Sequence, residues 1–107
     1  MNLPKVIADL VKAQDQHDSI AYANCFSETG VMHDEGKTQT GRIEIQKWIA
    51  GSNLKYKTVM KPLNYRESDN KGILAAEISG TFDGSPIVLN FHFEFKQGLI
   101  QSLKITG

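Results

Sequence analysis

The ten residues Ile87–Lys96 alternate without interruption, with Ile87, Leu89, Phe91, Phe93 and Phe95 at odd positions and Val88, Asn90, His92, Glu94 and Lys96 at even ones. Successive side chains of a strand point to opposite faces, so this pattern specifies a strand with one face buried and the other mixed. Such a strand needs neighbours. Turn signals at Asp69 to Gly72, Asp83-Gly84 and Gln97-Gly98 divide the second half of the chain into four strands of a meander.

The first half carries a different period. Leu3, Val6, Ile7, Leu10 and Val11 recur at helical spacing, with Asn2 placed to cap and Pro4 in the first turn, which predicts a helix running to about Gln16. A polar break at His17, Asp18 and Ser19 supplies an N-cap for a second helix from Ile20 to Phe26, with Tyr22 and Phe26 on one face. Gly30 then leads into a short strand, Val31 to Asp34, which returns through Thr38 to Thr40 as a hairpin closed by Gly41. Arg42 to Ala50 places Ile45, Trp48 and Ile49 on one helical face, and Gly51 stands where a C-cap glycine is expected. Helices first and a meander second predict an α+β domain in which helices cover one face of a mainly antiparallel sheet of about six strands. At 107 residues the chain, 1–107, is read as a single domain. A sheet of that width curls and can leave a mainly apolar pocket beneath its helices.

Charge narrows the partners. Lys plus Arg and Asp plus Glu number 12 each, and no like-charge run offers a track for phosphates, so nucleic acid is not expected. The apolar runs fall short of the roughly 20 residues of a membrane helix, so no membrane partner is expected either. One cysteine, Cys25, and no basic-then-apolar leader pattern point to a reducing cytoplasm.

Phe26, the strand Val31-Met32-His33-Asp34, the Thr40-Gly41-Arg42 entry to a helix holding Trp48, and the ending Phe91 to Ile100 occur in an order that resembles the nuclear transport factor 2-like superfamily of cone-shaped domains. The likeness is greatest to its SnoaL-like polyketide cyclase and ketosteroid isomerase branches. It implies a cone whose curved sheet wraps three helices of the N-terminal half. It also implies a general-base aspartate at Asp34 facing the pocket, and a lining drawn from Leu10, Tyr22, Phe26, Met32, Trp48, Phe91, Phe93 and Leu103, with Ile105 also turned inward. No cofactor is implied, and a homodimer through the outer sheet face is. Two departures stand out. The oxyanion-stabilising tyrosine of the isomerases falls on Leu10 and their protonated late-strand acid falls on Phe91, and neither side chain can donate a hydrogen bond. Enolate stabilisation is worth several kcal/mol, so steroid isomerisation is not expected.

A carboxylate against an apolar pocket has its pKa raised by desolvation, which suits enolisation, dehydration or ring closure. Asp34, followed by Glu-Gly-Lys, is equally placed to accept backbone hydrogen bonds at a turn. His33 adjoins Asp34 in sequence but points to the opposite strand face, so it shares proton transfer only where a bulge or bend intervenes. His92 and Glu94 stand two apart on the outer face with no third ligand indicated, so no metal site is expected. Cys25 and His17 read as structural, and Tyr56 and Tyr65 as uncertain contributors of a phenol because Pro62 disturbs the register around them. Function then divides three ways: an acid/base isomerase, cyclase or dehydratase acting through Asp34 on a small apolar carbonyl or hydroxy compound, a non-catalytic ligand binder, or a protein-interaction and dimerisation module.

Overall fold

The alternating segment is a strand with the expected bounds, and everything else is arranged to bury its odd-numbered face. The computed structural model describes residues 1–107. Its elements in chain order are α1 (Lys5–Asp15), α2 (Ser19–Asn24), β1 (Phe26–Asp34), β2 (Lys37–Thr40), α3 (Arg42–Tyr56), β3 (Val59–Ser68), β4 (Lys71–Ser79), β5 (Ile87–Lys96) and β6 (Leu99–Thr106). The six strands form one sheet in the order β2-β1-β6-β5-β4-β3. The predicted meander is β3 to β6, and β6 then pairs with β1 in parallel, the one parallel contact in an otherwise antiparallel sheet.

Register shifts bend three of these strands: between Phe26 and Val31 in β1, between Pro62 and Asn64 in β3, and at Gln101 in β6, opposite Glu94 and Phe95 of β5. Extra residues of this kind increase local twist and curl the sheet, giving the three helices a concave face to fill. Pro62 has no amide proton to place in a ladder, and the shift beside it is where the sheet tolerates that loss.

The helices fill one end of the concavity completely. Leu10, Phe26, Phe93, Ile100 and Leu103 are each 0 to 1% exposed. Burying a side chain of this size contributes about 1.5–3 kcal/mol, so this cluster is the principal source of stability. Phe95 stacks on Phe93 with ring centroids 5.7 Å apart. Along β5 the inner face then changes character, from the sealed Phe93 to Ile87, which is 43% exposed.

Several boundaries differ from the sequence expectation. α1 begins at Lys5 with Pro4 in the cap position, and no side chain caps it, so Asn2 does not serve that role. Of the two N-cap candidates in the polar break, Asp18 and Ser19, it is Asp18 that caps α2, its Oδ1 accepting from the Ala21 amide at 3.0 Å. α2 ends at Asn24, and Phe26 opens β1 instead of closing the helix. α3 runs through Gly51 to Tyr56 and stops at Lys57, which takes the left-handed cap conformation at φ 51°. A glycine weakens a helix by only about 1 kcal/mol, and the buried row Ile45, Ile49 and Asn53 outweighs it.

The C-terminal end of α1 is tied to the start of β3 by side chains. The Gln14 Nε2 donates to the Asn53 Oδ1 at 3.1 Å and to both the carbonyl and the hydroxyl of Thr58. Asp15 accepts from the Met60 amide at 2.9 Å, and the His17 Nε2 lies 2.9 Å from the Thr58 carbonyl oxygen. The far end of α3 is held too, by the Thr81 amide donating to the Tyr56 carbonyl at 2.7 Å. No helix is long and apolar enough to cross a membrane.

Gly80 permits that last contact. A Cβ there would collide with the Tyr56 carbonyl oxygen, a backbone atom that cannot swing aside. Gly80→Ala should lower stability by about 1–3 kcal/mol, the usual effect of overpacking, read as a reduced urea midpoint at unchanged slope.

Candidate functional site

At the open end, between the helices and the inner face of the sheet, lies a cavity of about 330 Å³. Its walls come from 18 residues, of which 11 are hydrophobic, a balance typical of small-molecule sites. Tyr22, Met32, Phe91 and Ile105 line it as the sequence reading expects, and Asp34 stands at its edge. Leu10, Phe26, Phe93 and Leu103 do not line it. They are packed in the sealed end, because the inner face of each strand is longer than the cavity and its innermost residues go to core. Ile87 and Phe82 border the cavity, Phe82 meeting Tyr56 edge to face at 6.0 Å. A second depression, about 540 Å³, lies on the outer side of α1 and α2 beside Lys5, Asp9 and Cys25. It is the larger of the two, but only 5 of its 11 lining residues are hydrophobic, and Asp34 is not among them.

Asp34 is the last residue of β1, and the following Glu35 and Gly36 both have positive φ, 52° and 73°, forming the tight turn to β2. It is therefore at once a turn residue and a wall residue. Trp48 does not line the cavity. It is half-buried behind Asp34, its indole Nε1 donating to Asp34 Oδ2 at 3.3 Å, while Lys37 Nζ lies 5.7 Å from its ring centroid. Desolvation raises the Asp34 pKa above the ordinary carboxylate value, and the Trp48 hydrogen bond partly offsets it. The neighbouring Glu35 charge adds a smaller upward push and a backbone hydrogen bond at Glu35 a smaller downward one.

His33 turns to the outer face, where its Nδ1 lies 3.0 Å from Thr38 Oγ1. The irregularity of β1 falls before Val31 and leaves His33 and Asp34 in ordinary alternation. His92 is likewise engaged outside, its Nε2 2.9 Å from Thr106 Oγ1, and no three His, Cys, Asp or Glu side chains converge as a metal site would need. Cys25 is buried, and desolvation pushes its thiol up to about 11, which keeps it protonated and unreactive at neutral pH. Tyr56 lines the cavity, whereas the Tyr65 hydroxyl donates to Glu67 instead.

Several wall residues went unread in the sequence, among them Gln14, Ile49, Ser52, Thr58 and Met60. For Gln14 a signal existed: it continues the buried stripe of Ile7 and Leu10 by one helical turn, a polar side chain where an apolar one is expected. Ser52, Thr58 and Met60 belong to a helix extension and a strand start that the assumed stop at Gly51 concealed.

No sequence-family model matches the chain, nor does any curated protein. Solved structures do. A Sinorhizobium meliloti protein described as a candidate polyketide cyclase is 30% identical, with a TM-score of 0.93 over 97% of this chain and 95% of that one. A Catenulispora acidiphila protein with a ketosteroid isomerase-like fold, solved in complex with trimethylamine, is 18% identical with a TM-score of 0.89 over 99% of this chain and 87% of that one. The epoxide hydrolase/cyclase-like enzyme SalBIII, of pyran ring formation in the polyether salinomycin, is 18% identical with a TM-score of 0.77, over 94% of this chain and 86% of that one. The fold class these share is the α+β cone. The chain belongs to the nuclear transport factor 2-like superfamily.

The raised pKa has a definite consequence for stability. Below the ordinary carboxylate value Asp34 is protonated in both folded and unfolded chains. As pH rises the unfolded chain ionises first, so the folded state loses stability until its own raised pKa is passed. Asp34→Asn removes this effect, so its melting temperature should exceed that of the parent at pH 7 and the difference should vanish near pH 3. Trp48→Phe deletes the hydrogen bond that favours the carboxylate, and should move the Asp34 carboxyl resonance titration to higher pH in carbon-13 spectra.

Proposed function

We propose that this protein binds a compact, uncharged carbonyl or hydroxy compound in the Asp34 cavity and moves a proton on it, as an isomerase, cyclase or dehydratase would. The observation that carries this reading is the placement of one desolvated carboxyl at the edge of a mainly apolar cavity of about 330 Å³, with its pKa displaced toward the range of a useful general base. An aspartate held only as a turn residue would have no need of a hydrophobic chamber beside it. The wall contains no Lys, Arg or His, while Asp34 and Glu35 border it, so an anionic guest would meet uncompensated repulsion. The Sinorhizobium meliloti likeness supports a cyclase-type reaction class at the level of the family alone.

The chemistry asked of Asp34 is a single proton shuttle. The carboxylate takes a proton from carbon next to a carbonyl and returns it to the enolate oxygen or a conjugated carbon, or takes it from a hydroxyl whose oxygen attacks an epoxide or carbonyl carbon, the broken C–O pair moving onto the oxygen that then receives the proton. Trp48 holds the carboxyl through its indole N–H to Oδ2. The outer sheet face suits a second copy of the chain: Val88 and Val59 are 48% and 46% exposed there, beside the paired Glu77 and Lys61.

A panel of small ketones, hydroxyketones and polyketide-like lactones, screened by proton–deuterium exchange and product formation, tests the reading. Asp34→Asn should reduce turnover by about 10²–10⁴-fold, the worth of a positioned general base, with binding retained. The rate should rise with pH along a limb set above 3.8. Binding without exchange or conversion by any member would leave a ligand carrier, and unaltered turnover in Asp34→Asn would remove Asp34 from the chemistry. Sedimentation of the parent and of a Val88→Lys variant should show a dimer converted to monomer.

A further inference from the structure

Two polar groups in the cavity wall are aimed at nothing in the protein. Gln14 is 6% exposed and spends its Nε2 on Asn53 and Thr58, while its Oε1 accepts no hydrogen bond. Tyr22 is 1% exposed, and its hydroxyl likewise has no partner. Both residues line the cavity, and the one unpartnered side-chain polar atom fully closed off from it is Asn53 Nδ2. The Gln14 oxygen and the Tyr22 hydroxyl therefore keep surface that opens into the chamber.

An apolar residue at either position would fill a helix wall more cheaply, since buried polar groups without partners destabilise. The network around Gln14 deepens that cost by leaving Asn53 Nδ2 unpaired inside the core. What the network does achieve is orientation. With Nε2 held by Asn53 Oδ1 at 3.1 Å and by Thr58, the amide is tethered through its nitrogen, and its oxygen stays unpaired in a residue that lines the cavity. Tyr22 supplies the complementary property. Burial and then the Asp34 charge raise its pKa, so its phenol stays protonated and available to donate.

We infer that Gln14 and Tyr22 are the orienting groups of this cavity: the Gln14 amide oxygen accepts from a hydroxyl or N–H of the guest, and the Tyr22 phenol donates to its carbonyl or ether oxygen. The guest is then a compact compound carrying both a hydrogen-bond donor and an acceptor oxygen, held over Asp34, in preference to a bare hydrocarbon or a simple ketone. This rests on the cavity being a ligand site, and it deepens that reading by naming the substrate class.

Three bicyclic probes separate the two ideas: tetralin, 1-tetralone, and hydroxylated 1-tetralone supplied as its 3- and 4-hydroxy isomers. The parent protein, titrated calorimetrically with each, should bind the better hydroxytetralone about five- to tenfold more tightly than 1-tetralone, the worth of one net hydrogen bond. Gln14→Met should bring that ratio close to one with the 1-tetralone affinity unchanged. Tyr22→Phe removes a hydroxyl that no protein group uses, so its melting temperature should match or exceed that of the parent. It should weaken both ketones about fivefold and leave tetralin unaffected. Failure of Gln14→Met to fold would leave the parent's probe preference and Tyr22→Phe to decide. Equal affinity of the parent for all three probes would overturn the assignment while keeping the cavity as a ligand site. A hydroxyl preference that survives in Gln14→Met, or ketone affinity untouched in Tyr22→Phe, would overturn it too. No binding of any probe would remove the ligand-site reading and this inference together.

Discussion

The inner face of the sheet is longer than three short helices can cover, and the rest of the molecule follows from that mismatch. One set of alternating side chains must leave water, but α1, α2 and α3 supply apolar surface for only part of the row. At one end Phe93, Leu103, Ile100 and Phe26 meet Leu10 and close to less than 2% exposure. At the other end Phe91, Leu89 and Ile87 continue the same face with progressively less cover, and the space above them is the cavity. The core and the candidate site are thus two stretches of one hydrophobic row, so the cavity inherits rigid walls without a separate scaffold.

The position of Asp34 makes one residue both the end of a strand and part of a cavity wall. Its place at the end of β1 is dictated by the Glu35–Gly36 turn, and the same turn carries its carboxyl to the rim of the cavity. Desolvation there opposes ionisation, and Trp48 tempers the effect with a single hydrogen bond. Leu10 and Phe91, which the sequence resemblance matches to the donors of the isomerases, are respectively sealed in the core and part of the apolar wall. The polar residues that α1 and α2 contribute to this cavity are instead Gln14 and Tyr22.

The polar stitching between α1 and β3 runs against the economy of the remaining core. Gln14, Asn53 and Thr58 place amides where aliphatic side chains would pack with less penalty, and one amide nitrogen remains unsatisfied. Proteins tolerate local rules broken in this way most often where function requires a group to be held in place. The tie also joins α1 to the start of β3 beside the cavity, where Gln14, Thr58 and Met60 all line its wall.

Local pattern alone determined a good deal. The alternation of Ile87–Lys96 specified β5 and its inward face to the residue, the glycine turns specified the meander, and the polar break at Asp18 and Ser19 specified the start of α2, because each depends on neighbours within a few positions. Pro62 correctly marked a break in strand register for the same reason. The end of α3 was not legible, since Gly51 is a local stop signal overridden by the burial of Ile49 and Asn53 against distant elements. Nor could sequence say which inward residues would be core and which would face a cavity. Phe91 and Phe93 are indistinguishable by alternation, and only the reach of the helices across the curved sheet separates wall from core. The pairing of β1 with β6, across more than 70 residues of chain, was likewise decided by tertiary structure: it joins the N-terminal hairpin to the meander in the middle of the sheet, and no local preference encodes a contact at that distance.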